Sequence, residues 1–238
     1  MCGRFTLTSP AQALEELFET EVEPFPPRYN IAPTQPILIV IGAERRAMLA
    51  RWGLIPAFAK DPSSLPLMFN ARSETAAEKA SFRAAMRYRR CLVPADGFYE
   101  WRKLGKGRSQ PFFVRPADGR PLAFAGLMET FLAPDGSEID TAAILTTGAN
   151  ETLRPIHERM PVVIGRADFP RWLDCREVGP AGVASLLRPA EEAFFEAVPV
   201  SAAINKVANM GPEVQAPAVE KGERAQEIAP AAQGTLPF

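Results

Sequence analysis

Apolar positions change their spacing repeatedly along this chain, and each change marks an element. Leu14, Leu17 and Phe18 recur three and four residues apart, the stripe of one helix face. Ser9-Pro10-Ala11-Gln12 opens that helix, with Ser9 as N-cap, Pro10 at the first helical position and Gln12 completing a capping box. Glu23 to Pro36 holds five prolines, so it is predicted as a rigid irregular loop presenting Arg28 to Pro33. The apolar run Ile37 to Ile41 pairs with Ala47 to Trp52 as a hairpin. Thr75, with Glu78 three residues on, caps a second helix whose Arg83, Arg87, Arg89 and Arg90 line one side and its end.

Strands then dominate. Cys91 to Gly97 reads as strand and turn, and Phe98-Tyr99-Glu100-Trp101 as the next strand. A period of two puts Phe98 and Glu100 on one face, Tyr99 and Trp101 on the other. Pro111 to Arg115 and Leu122 to Met128 flank an Asp118-Gly119 turn as a hairpin. Ile139 to Thr147 and Phe194 to Val200 are further strands, with short helices at Asp168 to Cys175 and Ala181 to Leu187 between them. After Gly211 the period is lost in Ala, Pro, Glu and Gln. That divides the chain into a folded domain, 1–211, and a disordered tail, 212–238.

With 238 residues, 47% of them hydrophobic, the chain can bury one sizeable core. No apolar run approaches a bilayer span and no charged-then-apolar leader precedes Cys2, which predicts a cytoplasmic protein with no membrane partner. Cys2, Cys91 and Cys175 are odd in number and widely spaced, which argues against a disulfide framework. With a single histidine, a Cys/His zinc site is not expected either; the sequence calls for no metal and no cofactor. The net charge of −1 counts weakly against a nucleic-acid binder. Yet Arg72 to Arg108 holds ten Lys or Arg against four Asp or Glu, either a binding patch or a solvated helix face.

The candidate chemistry begins at Met1-Cys2-Gly3-Arg4-Phe5. If Met1 is removed, Cys2 carries an α-amine and a thiol on adjacent carbons, a 1,2-aminothiol. Such a pair captures an aldehyde as an imine and closes it to a thiazolidine. Reference pKa values of about 7.7–8.0 for the amine and about 8.5 for the thiol leave some reactive form of each near neutrality. A small apolar residue at the chain start is the competing reading. Glu100 lies among three aromatics, Phe98, Tyr99 and Trp101, where a buried carboxylate is suited to hold and pass a proton and an edge-strand one is merely exposed. His157, the only histidine, precedes the apolar stretch Met160 to Val163 and is a general acid–base candidate or a structural residue. Asn70 and Arg72 lie in a loop before a helix, suited to orienting a ligand or phosphate. Trp52 beside Gly53 is either core or a platform for a base.

Six motifs, MCGRF, RYNIAPTQ, WGLIP, FNARSET, CLVPADGFYEW and HERMPVV, stand here in the order of the SOS-response-associated peptidase (SRAP) family, which this sequence resembles from Cys2 to about Gly211. The resemblance implies an α+β fold, with antiparallel strands curved into a barrel-like core and flanking helices. It implies binding to single-stranded DNA and single-strand/duplex junctions, and covalent attachment to abasic sites through the cysteine after Met1. It implies active-site roles for Cys2, Asn70, Glu100 and His157, and DNA contacts for Arg4, Arg72, Trp52, Pro33 and Thr146. Self-processing of Met1, a lyase-like activity and association with the nucleoid follow from the same resemblance.

Two other classes remain open on the sequence. Class II glutamine amidotransferases also begin Met-Cys-Gly and use the terminal cysteine as nucleophile, although the later motifs are not theirs. A non-catalytic single-strand-binding module is the other. Finally, Gln233, Leu236 and Phe238 at the chain end resemble the short peptide by which bacterial replication and repair proteins bind the sliding clamp, a possible second partner.

Overall fold

The strands of this chain close on themselves around one strand that pairs with four others. A computed structural model describes residues 2–218. Its strands in chain order are β1 (Phe5–Leu7), β2 (Arg28–Ile31), β3 (Pro36–Ile41), β4 (Arg46–Trp52), β5 (Asn70–Arg72) and β6 (Arg90–Ala95). They continue with β7 (Gly97–Gly105), β8 (Arg108–Pro116), β9 (Leu122–Leu132), β10 (Glu138–Gly148), β11 (Arg159–Pro161) and β12 (Phe195–Pro199). The helices are α1 (Ala11–Phe18), α2 (Arg83–Tyr88), α3 (Phe169–Leu173) and α4 (Pro180–Val183).

Strands β10, β4, β3, β6 and β9 pair in that order, and β9 returns to β10, so the sheet closes as a barrel without free edges. The β10–β4 pairing is parallel and the others in the ring are antiparallel. The C-terminal half of β10 runs on past the ring and carries β5 and β11 as short partners. A second, wholly antiparallel sheet runs β12-β8-β7-β1-β2. The two layers meet on an aromatic seam. Phe5 of β1 packs edge-on against Trp52 at 5.1 Å and Phe124 at 6.4 Å, and Phe98 of β7 meets Phe124 at 6.0 Å. Such offset geometry suits the ring quadrupoles, and all four rings are buried. The mixed α+β barrel expected from the sequence is therefore the fold.

The alternation in β7 also holds. Phe98 lies in the main core, while Tyr99 belongs to a separate cluster with Phe113, Val200, Ile204 and Val214. Gly97 starts this strand because a side chain there would meet the Val114 carbonyl at 2.5 Å and the Phe113 ring at 2.6 Å.

Several local expectations change. Ser9 does not cap α1; the N-cap is Pro10, without a side-chain bond. The Thr8 and Ser9 hydroxyls instead bind Asp96 at 2.9 and 2.6 Å, and the Ser9 amide does so at 2.8 Å, tying the helix entry to the bend between β6 and β7. The proline-rich stretch contains a strand after all. Arg28–Ile31 has no proline of its own and pairs on β1 at the sheet edge, where prolines on either side are tolerated. Thr75 opens only a series of turns, and helix forms from Arg83. Of the four arginines only Arg83 is exposed, so they do not form one solvated row. Arg90 is 1% exposed and donates to the carbonyls of Met86, Trp172, Asp174 and Val178 at 2.7–3.0 Å. Arg89 pairs with Glu129, and Arg87 donates to the Cys175 carbonyl at 2.8 Å. A buried guanidinium serves here as a staple for four chain carbonyls.

The boundary drawn at Gly211 falls short. Val214 is buried, the Gln215 side chain donates to the Tyr99 hydroxyl at 3.1 Å, and the Ala218 amide bonds the Pro199 carbonyl at 3.0 Å. The remainder of the tail, with Gln233, Leu236 and Phe238, lies outside the described residues. No helix among the described residues is long and apolar enough to cross a membrane.

Candidate active site

Cys2 is wholly buried and leads directly into β1. Its thiol points at the Arg4 carbonyl at 3.7 Å, and that carbonyl also accepts the Tyr99 amide at 2.9 Å. This second bond locks the chain start beside β7, the strand that bears Glu100. Burial pushes the Cys2 thiol well above its ordinary range, and the charge of Glu100 pushes it further, so the thiol is neutral. Asn70, first residue of β5, donates its amide nitrogen to the Cys2 carbonyl at 2.8 Å. Its Oδ1 is buried with no partner among the described residues.

Glu100 is 5% exposed, and it shares a narrow crevice with His157, Arg159, Phe98 and Val114. His157 lies in the turn before β11. Its Nδ1 accepts the Arg159 amide at 3.0 Å, so the neutral ring carries its proton on Nε2. Cys2, Asn70, Glu100 and His157, far apart in sequence, thus come to one place. They are brought there by the β1–β7 pairing, the β5–β10 pairing and the β10–β11 pairing.

The five residues read as DNA contacts separate. Arg72 is exposed at the end of β5, next to this cluster. Arg4 is half-buried; its Nη1 donates to Asn30 Oδ1 and the Ile204 carbonyl, both at 2.9 Å, and burial lowers its pKa. Pro33 is half-buried in a turn whose next residue, Thr34, bonds the Trp52 carbonyl at 2.7 Å. Trp52 is 0% exposed, with its indole nitrogen on the Phe69 carbonyl at 2.8 Å, so of the two readings the structure shows the core one. Thr146 is also 0% exposed. Its hydroxyl and carbonyl are taken by Ala71, Ser73 and Arg159, which makes it a joint between β5, β10 and β11.

Two residues escaped the sequence reading. Arg159 reaches with both terminal nitrogens to the carboxylate of Glu74, and Arg159 is only 17% exposed at the side chain.

The family model for SOS response associated peptidase (SRAP) matches residues 1–207. The chain belongs to this family. Abasic site processing protein YoqW of Bacillus subtilis (strain 168) is 40% identical over 220 residues, covering 90% of this chain and 98% of that protein. Abasic site processing protein HMCES of Gallus gallus is 34% identical over 225 residues, covering 80% of this chain and 66% of that longer protein. A crystal structure of a Bacteroides thetaiotaomicron protein superposes with a TM-score of 0.84 over 92% of this chain and 100% of the other; at 23% identity it shows the fold alone. In this chain the motifs CLVPADGFYEW and HERMPVV supply Phe98, Glu100, His157 and Arg159 to one crevice.

Proposed function

We propose that this SRAP protein processes abasic sites in single-stranded DNA and at single-strand/duplex junctions by linking them covalently to Cys2. The observation that carries this reading is the position of Cys2. Its carbonyl is held by Asn70, and its neutral thiol lies beside Glu100. Removal of Met1, by the protein itself or by an aminopeptidase, frees the α-amine. The open sugar of an abasic site presents an aldehyde. The amine attacks it, and loss of one water gives an imine. The thiol then adds across the C=N bond: sulfur bonds to carbon and the thiol proton passes to nitrogen. The amine attacks first, and Glu100 carries the thiol proton to nitrogen during ring closure. His157, with Nε2–H as donor, moves a proton at the sugar oxygen when the ring opens.

A denaturing gel tests the reading. The mature protein is expected to give an SDS-resistant band with an oligonucleotide containing one abasic site and none with the intact oligonucleotide. Absence of the band from both removes the covalent mechanism.

Arg72 is the surface cation best placed to hold the DNA backbone beside the cluster. Arg72→Ala is expected to weaken binding uniformly across sequences and to lower the salt slope by about one phosphate contact. Fluorescence anisotropy at several salt concentrations measures both, and an unchanged slope removes Arg72 from the interface. The proposed clamp contact of Gln233, Leu236 and Phe238 rests on sequence alone. A tail peptide is expected to bind the purified sliding clamp in the range of tens to hundreds of micromolar, about −5 to −6 kcal/mol. Equal binding by a peptide with Leu236→Ala and Phe238→Ala rejects it.

A further inference from the structure

One hydrogen bond to the His157 ring comes from the backbone two residues on. The Arg159 amide meets Nδ1 at 3.0 Å, and the His157 amide itself bonds the Leu153 carbonyl at 3.0 Å. What fixes Arg159 is a network outside the crevice. Its backbone pairs with Gly148 at the end of β10. Its Nη2 meets Glu74 Oε2 at 2.9 Å and Thr146 Oγ1 at 3.3 Å, while Nη1 closes the second arm of a fork on the Glu74 carboxylate. Its Nε is buried with no partner among the described residues. The cation is therefore largely withdrawn from water, and Glu74 is its counter-charge. Glu74 itself stands in the turn after β5, where the Ser73 amide bonds the Thr146 carbonyl at 2.9 Å. The strand that carries Asn70 and the strand that follows His157 are joined across 85 residues by this fork.

We propose that Glu74 is a positioning residue, which clamps Arg159 so that the Arg159 amide stays on His157 Nδ1 and the imidazole keeps its Nε2–H tautomer in the crevice shared with Glu100. A bidentate carboxylate–guanidinium fork fixes distance and angle together, which a single contact does not. Without the carboxylate, a mostly buried guanidinium has lost its counter-charge and is driven toward solvent. That motion pulls on the first residue of β11, which is the residue holding the ring. The Arg159 bonds keep the Glu74 carboxyl below its ordinary range, consistent with a fork that stays ionised. The inference deepens the role given above to His157 and rests on that reading only for its kinetic consequence.

The test uses the full chain and the fact that His157 is its only histidine. Long-range proton–nitrogen correlation spectra of the DNA-free protein report the two ring nitrogens directly. The parent is expected to show an unprotonated Nδ1 and a protonated Nε2 once the ring is neutral. Glu74→Gln, which keeps size but loses charge, is expected to mix the tautomers, and Glu74→Asp to retain the parent pattern in part. In the same variants, single-turnover adduct formation at saturating abasic DNA is expected to slow about tenfold in Glu74→Gln, the lower part of what general acid–base groups contribute. The DNA concentration for half-saturation should not rise. An unchanged tautomer in folded Glu74→Gln overturns the positioning role. Mixed tautomers with an unchanged adduct rate support the positioning and instead overturn the proton-carrying role of His157.

Discussion

Cys2→Ala is expected to abolish the SDS-resistant adduct with abasic single-stranded DNA, the largest effect of any single substitution in this chain. The ring needs two nucleophiles on adjacent carbons, and alanine leaves only the amine. An imine can still form, so borohydride reduction is expected to recover a band from the variant, whereas the parent needs no reduction. The fold should survive the change. Cys2 is buried at the chain start, and alanine removes one sulfur atom without placing a charge or an unpaired polar group in the core. The main bond of this residue to Asn70 runs through its carbonyl and is kept. Unreduced adduct at the parent level from Cys2→Ala means that the thiol takes no part.

The next largest effect is expected from Glu100→Gln. The amide keeps the shape and hydrogen-bonding capacity of the side chain but cannot carry the thiol proton to nitrogen during ring closure. Burial raises the thiol pKa, so ring closure calls for a group that takes up the thiol proton. Adduct formation is expected to slow by about 10²–10⁴-fold, the range general acid–base groups contribute. DNA affinity should be nearly unchanged, because Glu100 is buried in the crevice rather than on the surface. Rapid-quench kinetics together with anisotropy separate the two quantities. A loss of affinity as large as the loss of rate would assign Glu100 to binding.

The parts of this molecule that the sequence made legible are those fixed by local spacing. The alternation of Phe98, Tyr99, Glu100 and Trp101 follows from the pleat of one strand, and β3–β4 follows from two apolar runs around a polar turn. Burial was less legible. Trp52 and Thr146 sit in motifs that read equally well as surface or core, and only the closure of the barrel decides for core. The burial of Arg90 was illegible for the same reason: a charge is normally solvated, and the nearby Met86 carbonyl with three more from the distant stretch 172–178 are what permit its burial. Strand β2 was hidden by its flanking prolines. The fork of Glu74 and Arg159 has no local signal at all, since the pairing of β5 and β11 on the same strand creates it.

The covalent account stands or falls on the composition and position of the adduct. Intact-mass spectrometry of the unreduced product, followed by peptide mapping after alkylation with iodoacetamide, measures both. The predicted mass is that of the chain beginning at Cys2 plus the abasic oligonucleotide less one water. The predicted map places the DNA on the N-terminal peptide, with Cys2 unalkylated and Cys91 and Cys175 alkylated. A DNA-bearing peptide centred on a lysine, a product that retains Met1, or a Cys2 that still accepts iodoacetamide would contradict the thiazolidine and with it the central role of the chain start.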